Sequence, residues 1–156
     1  LVKSGIKLVA SLPDDWVSDL IHAIDTDKRF THVPVNREES AIGLCSGAYF
    51  GGIRSLALMG ASGLMTCVYA ITKINYSYHI PLFLFTTLRG AIGDPRAHHI
   101  SNGLYLEPLM NSISLPHLIV DEREKIARIP DAFKHSQVMN RPTVVVFTEP
   151  VLRGEV

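Results

Sequence analysis

Short apolar runs alternate along the chain with stretches of mixed polarity whose apolar positions recur every three to four residues. Ile6–Ser11 (IKLVAS) is a first such run, closed by Leu12-Pro13-Asp14, and reads as a strand. Asp14 or Asp15 then caps a helix over 15–25, with Trp16, Leu20, Ile21 and Ile24 on one face. Thr31–Val35 is a second strand, and Pro34 places it at a sheet edge or a strand end. Asn36 opens a helix over 37–51. Arg54–Met59 is a third strand, and Ser62 starts a long helix to 76. Ile80–Thr87 (IPLFLFTT) has no polar face, the signature of a strand buried on both sides. A loop over 88–103 follows, then a helix over 104–114, a strand at His117–Val120, a helix over 122–139 and a last strand at Pro142–Phe147.

This alternation of six strands with helices implies an α/β, three-layer sandwich around a mainly parallel sheet. Length agrees, since 156 residues suit one ordinary domain. Composition adds two exclusions. At 47% hydrophobic and 19% charged, the chain is no disordered tail. With 15 Lys+Arg against 15 Asp+Glu it is no strongly basic nucleic-acid module, and its neutrality suits a chain that associates. No apolar stretch approaches the roughly 20 residues that span a bilayer. The start, Leu1-Val2-Lys3-Ser4-Gly5, has no signal-peptide pattern, and the lack of an initiator Met leaves room for residues before Leu1. Cys45 and Cys67 lie in apolar surroundings with no metal-ligand spacing, as expected of reduced core thiols in a cytoplasmic protein.

Candidate chemistry concentrates in a few places. Asn36 followed by Glu39 fits a capping box, which gives Glu39 a structural task. Glu38 is left over, either as a solvated first-turn acid or as a carboxyl group held at a strand-to-helix corner for a ligand nitrogen. The helix that follows is rich in small residues, and Gly43 and Gly47 make one flat stripe for close approach of another backbone, within the fold or across a subunit contact. Met59-Gly60-Ala61-Ser62-Gly63-Leu64 joins strand to helix with an open backbone, but matches neither the dinucleotide fingerprint nor the Walker loop. The 88–103 loop carries Arg89, Asp94, Arg96, His98 and His99. Adjacent histidines point apart and do not share a metal, but one can serve a ligand as proton donor, and the arginines can meet an anion. There is no G-x-S-x-G elbow and no H-E-x-x-H.

Taken in order, these stretches resemble the pyrimidine-binding domain of thiamine-diphosphate-dependent enzymes. Within that group they look like the alpha subunit of sulfopyruvate decarboxylase and the matching half of phosphonopyruvate decarboxylase. The resemblance runs from about Gly5 to Val151. In Arg37-Glu38-Glu39-Ser40-Ala41-Ile42-Gly43-Leu44-Cys45-Ser46-Gly47 the glutamate stands nine residues before a helix glycine, similar to the family's cofactor-activating glutamate, which selects Glu38. Leu58–Leu64 resembles the strand-turn-helix ending in Ser-Gly-Leu, and Pro81–Gly90 the strand running into Arg-Gly. His98-His99-Ile100-Ser101-Asn102-Gly103 resembles a loop with an active-site histidine, best matched by His99. The chain departs from the family pattern at Gly60-Ala61, where Gln-Asn is usual, and at Met65-Thr66, where Gly-Asn often stands.

The resemblance implies that residues 1–156 are a single pyrimidine-binding domain of a split enzyme. Glu38, His99 and His98 would be catalytic. Glu38, Ser62, Gly63 and Leu64 would hold the cofactor, and Arg89 with His99 would meet the substrate. The cofactors would be thiamine diphosphate and Mg²⁺. The Gly-Asp-Gly…Asn motif that holds metal and diphosphate does not occur here, so a second subunit would supply it in a hetero-oligomer. The substrate would be a small 2-oxo acid, with no nucleic acid and no membrane involved. Decarboxylation, carboligation and a non-catalytic binding role are the three outcomes to separate.

Overall fold

The computed structural model describes residues 1–155. The strands are β1 (Leu8–Ser11), β2 (Thr31–Pro34), β3 (Ser55–Leu58), β4 (Leu82–Thr87), β5 (His117–Val120) and β6 (Pro142–Phe147). They form one sheet in the order β2-β1-β3-β4-β6-β5, and every neighbouring pair is parallel. β4 and β6 are buried along their whole length, which is why their sequences lack a polar face. Thr31–Pro34 is an edge strand, the place where a residue without an N–H costs no ladder bond.

The helices are α1 (Ser18–Thr26), α2 (Glu38–Phe50), α3 (Ala61–Thr66), α4 (Val68–Ala70), α5 (Ile100–Ser112), α6 (Ile129–Met139) and α7 (Glu149–Arg153). α2, α3 and α5 bury Ala41, Ile42, Cys45, Leu64, Leu106 and Met110 on one face of the sheet. α1 and α6 bury Ile24, Ile129, Ala132 and Phe133 on the other. The three-layer arrangement therefore matches the sequence reading. Because all strands are parallel, their carboxyl ends share one edge. β1 connects outward to β2, while β3 lies on its other side, so the strand order reverses between β1 and β3. Open α/β sheets bind ligands outside such a switch point.

Several boundaries differ from the sequence expectations. The long helix from Ser62 is broken: α3 ends at Thr66, and Ile71–Tyr76 winds as a π-helix. The 88–103 loop is shorter than expected, because Ala97–His99 is already a 3₁₀ turn leading into α5 at Ile100. The helix expected over 122–139 opens as a 3₁₀ turn at Arg123–Arg128. α2 starts at Glu38 with Arg37 as its N-cap and no side-chain cap. The Asn36–Glu39 capping box therefore does not form; Glu39 instead pairs with Arg37 at 3.5 Å. No helix among the described residues is long and apolar enough to cross a membrane.

Candidate active site

Four connections converge on the carboxyl edge of the sheet. The turn after β3 lies beside the switch point and touches a carboxylate at each end. At Gly63, in the first turn of α3, a Cβ would stand 2.5 Å from Glu38 Oε1 and 2.8 Å from its carboxyl carbon. At Gly60 a Cβ would overlap Asp14 Oδ2 and lie 2.9 Å from its Cγ. Both glycines are thus required by the carboxylates lying across them, not by backbone dihedrals. Glu38 is half-buried, at the start of α2, and so occupies the strand-to-helix corner expected of it. Nearby, burial pushes the Cys67 thiol up to about 12, and Glu39 and Glu38 add to the shift.

Ser62 is exposed and its hydroxyl donates to Asn102 Oδ1 at 3.2 Å, tying the turn to α5. Leu64 is different: it is 1% exposed and its N–H is bonded to the Gly60 carbonyl, so it belongs to the core and does not face the site.

The histidine loop is a charged cluster closed on itself. His99 is 2% exposed. Its Nδ1 lies 2.7 Å from Asp94 Oδ2 and its Nε2 2.8 Å from Arg89 Nη1. A guanidinium only donates, so Nε2 must accept, and the proton sits on Nδ1 and is donated to Asp94. The two contacts thereby fix the orientation of the His99 ring. Asp94 loses solvation, which pushes its pKa up. The N–H groups of Gly90 and Arg96 and the His99 ring outweigh that loss and hold it well below the usual carboxylate range. Arg96 makes a two-pronged contact with Glu149 at 3.0 and 3.2 Å, and so ties the loop to α7. His98 is exposed, its ring 4.3 Å from that of His99.

Arg89 is inward-facing. Its Nη2 donates to Asp14 Oδ1 at 2.6 Å, and its guanidinium carbon lies 4.9 Å from the Trp16 ring centre. Asp14 also accepts the Trp16 N–H at 3.0 Å. The cap predicted at Asp14 is present, but its larger part, the ion pair with a residue 75 positions away, has no local sequence signal.

The loop is locked at its base by a backbone crossing. Gly90 has φ +73°, and a Cβ there would lie 2.7 Å from the His99 carbonyl carbon and 2.8 Å from the Gly103 nitrogen. A second arrangement escaped the sequence reading. His32 joins Ser11 Oγ (2.8 Å) to Asp25 Oδ1 (2.7 Å), the order of a hydrolase triad. Ser11 is fully buried, so no acyl group reaches it. Among the described residues no group of three His, Cys, Asp or Glu is placed to hold a metal ion.

In fold the chain is an α/β domain with a six-stranded, all-parallel sheet flanked by helices. The 2-oxoglutarate:ferredoxin oxidoreductase from Magnetococcus marinus superposes with a TM-score of 0.71 over 95% of this chain and 27% of that one, at 16% identity. No protein-family profile matches. Curated relatives are more specific. Sulfopyruvate decarboxylase subunit alpha from Methanococcus maripaludis is 31% identical over 94% of this chain and 88% of its own. The corresponding subunit from Methanocaldococcus jannaschii is 31% identical over 74% and 69%. Phosphonopyruvate decarboxylase from Streptomyces viridochromogenes is 30% identical over 62% of this chain and 25% of its own. The chain belongs to the family of sulfopyruvate decarboxylase alpha subunits, and is an alpha-type subunit of a 2-oxo acid decarboxylase.

Proposed function

We propose that this chain is the pyrimidine-side domain of a split thiamine-diphosphate enzyme that decarboxylates a short 2-oxo acid of the sulfopyruvate or phosphonopyruvate type. The observation that carries the reading is Glu38 lying across Gly63: a half-buried carboxyl group in the space that a side chain at residue 63 would take. These residues fit the flat, polar pyrimidine ring. Glu38 would hydrogen-bond its ring nitrogen, Gly63 would let the backbone come close, and Ser62 would rim the site. Thiamine diphosphate, when bound, supplies the electron sink that takes up the pair left as carbon dioxide departs. Glu38 would stand at the ring nitrogen, at a strand-to-helix corner partly withdrawn from bulk water. His98, the exposed member of the pair, is the one free to hand a proton to product or substrate. His99 holds Arg89 and the loop in place.

Mg²⁺ and the diphosphate are assigned to a second chain, in keeping with relatives named as alpha subunits. Its docking face is the layer formed by α2, α4 and α5. There Phe50, Tyr69, Leu104 and Tyr105 are exposed, and Gly43 and Gly47 have no atom within 4 Å of a Cβ built on them. The open space over Gly43 and Gly47 supports the second of the stripe's two roles, contact across a subunit interface. The test is Glu38→Gln in the complex with its partner subunit. The amide keeps the shape and loses the acid. Turnover of sulfopyruvate should fall by about 100-fold or more. Near-normal turnover would remove Glu38 from the mechanism.

A further inference from the structure

Arg89 was expected to meet the substrate's anionic tail, yet its guanidinium is already occupied. Nη2 is on Asp14, Nη1 is on His99, and Trp16 covers one face. Nε is buried without a partner. The other arginine of the loop, Arg96, is matched by Glu149 and Asp94. Both cations of the loop are therefore spoken for by carboxylates of this chain.

Asp14 holds its position for two reasons. Oδ1 is fixed by the Trp16 N–H and by Arg89. Oδ2 lies over Gly60, in space that any side chain at that position would take. The absence of a Cβ at residue 60 is what lets a carboxylate stand there. Arg89 side chains are 13% exposed and Asp14 18%, so the pair is only partly screened by solvent.

We propose, on the basis of the function above, that Asp14 is a specificity-determining residue for the tail of the 2-oxo acid. It acts as an internal anion on Arg89, so that a sulfonate or phosphonate tail reaches the guanidinium only by displacing the Asp14 carboxylate. The affinity for an anionic tail is then a difference between two ion pairs rather than the full strength of one. Substrates with uncharged tails do not enter that competition.

The test uses the complex of this chain with its partner subunit and two unreactive probes. Sulfoacetate carries a carboxylate and a sulfonate; propionate carries the carboxylate alone. Binding is read by calorimetry in the wild type, in Asp14→Asn and in Asp14→Asn/Arg89→Met. Asparagine keeps an oxygen for the Trp16 N–H, so the segment stays capped while the charge is lost. Asp14→Asn should bind sulfoacetate about tenfold tighter with propionate moving less than about twofold, and Arg89→Met in that background should erase the gain. Equal changes for both probes, or no gain for sulfoacetate, overturn the proposal. Where Asp14→Asn fails to assemble, Asp14→Ser keeps a cap oxygen and is read the same way. A complex that shows the sulfoacetate shift but decarboxylates no 2-oxo acid refutes the proposed function and leaves the role of Asp14 standing. An active complex without the shift does the reverse.

Discussion

Replacing Gly63 with alanine separates the site from the fold. The new methyl would stand 2.5 Å from Glu38 Oε1 and 2.8 Å from its carboxyl carbon, so the glutamate must rotate away. Among the described residues no hydrogen bond or ion pair holds the Glu38 carboxylate, and a non-ideal rotamer costs about 1 kcal/mol. Gly63 lies inside α3, where alanine is favoured over glycine by up to about 1 kcal/mol. The two effects nearly cancel. The melting temperature should stay within about 4 °C of the wild type. If Glu38 has the role proposed above, catalysis has no such compensation, because displacing a catalytic group by an ångström costs about 100-fold. Steady-state decarboxylation by the assembled complex, with melting followed by circular dichroism, reads both quantities. A Gly63→Ala enzyme as stable as the wild type and within about threefold of its turnover would refute the idea that Gly63 exists to seat Glu38.

Gly90→Ala should behave oppositely, since both its positive φ and its backbone neighbours forbid a methyl; a loss of about 3 kcal/mol in urea unfolding is expected. Asp94 has its folded pKa depressed below 3.8, so its contribution to stability is full above the unfolded value and is lost as pH falls through the folded one. Asp94→Asn should accordingly flatten the acid limb of the stability profile, and an unchanged limb would place acid unfolding elsewhere. Burial raises the Cys45 and Cys67 thiols to about 11 and about 12, so neither should react with Ellman's reagent until the chain unfolds.

The strands were legible because burial on both faces writes an uninterrupted apolar run, as in β4 and β6. Helix interiors were less so. Nothing in Val68–Tyr76 announces a change from α to π winding, because the apolar positions continue through it. Asn102 and Gly103 read as loop residues by propensity, whereas Asn102 bonds Ser62 and Gly103 passes against Gly90. Tertiary contacts override local preference there. Glu38 was singled out by a resemblance, and the structure adds its contact with Gly63. Asp14 was read as a cap alone, since its tie to Arg89 spans most of the sheet in sequence. The resemblance gives His99 the task of shuttling a proton or orienting the substrate carboxylate. Its two ring nitrogens are bonded to Asp94 and Arg89, and His98 is the exposed imidazole of the pair.

The crossing of Gly90 and Gly103 also bears on how such a site can change over time. Backbone sealed against backbone leaves no room for drift at the base of the loop, so neither glycine has a neighbouring sequence to mutate into. Two and three residues on, the packing constraint is gone: Ile92 is fully exposed, and a side chain at Gly93 would meet nothing within 4 Å, although its φ of +103° still favours glycine. Length and chemistry are thus free to vary at the tip, through insertion around Ile92, while the clamp beneath keeps Arg89 and His99 in register. Novelty in this loop is expected to arise as an extended crest on an unaltered root.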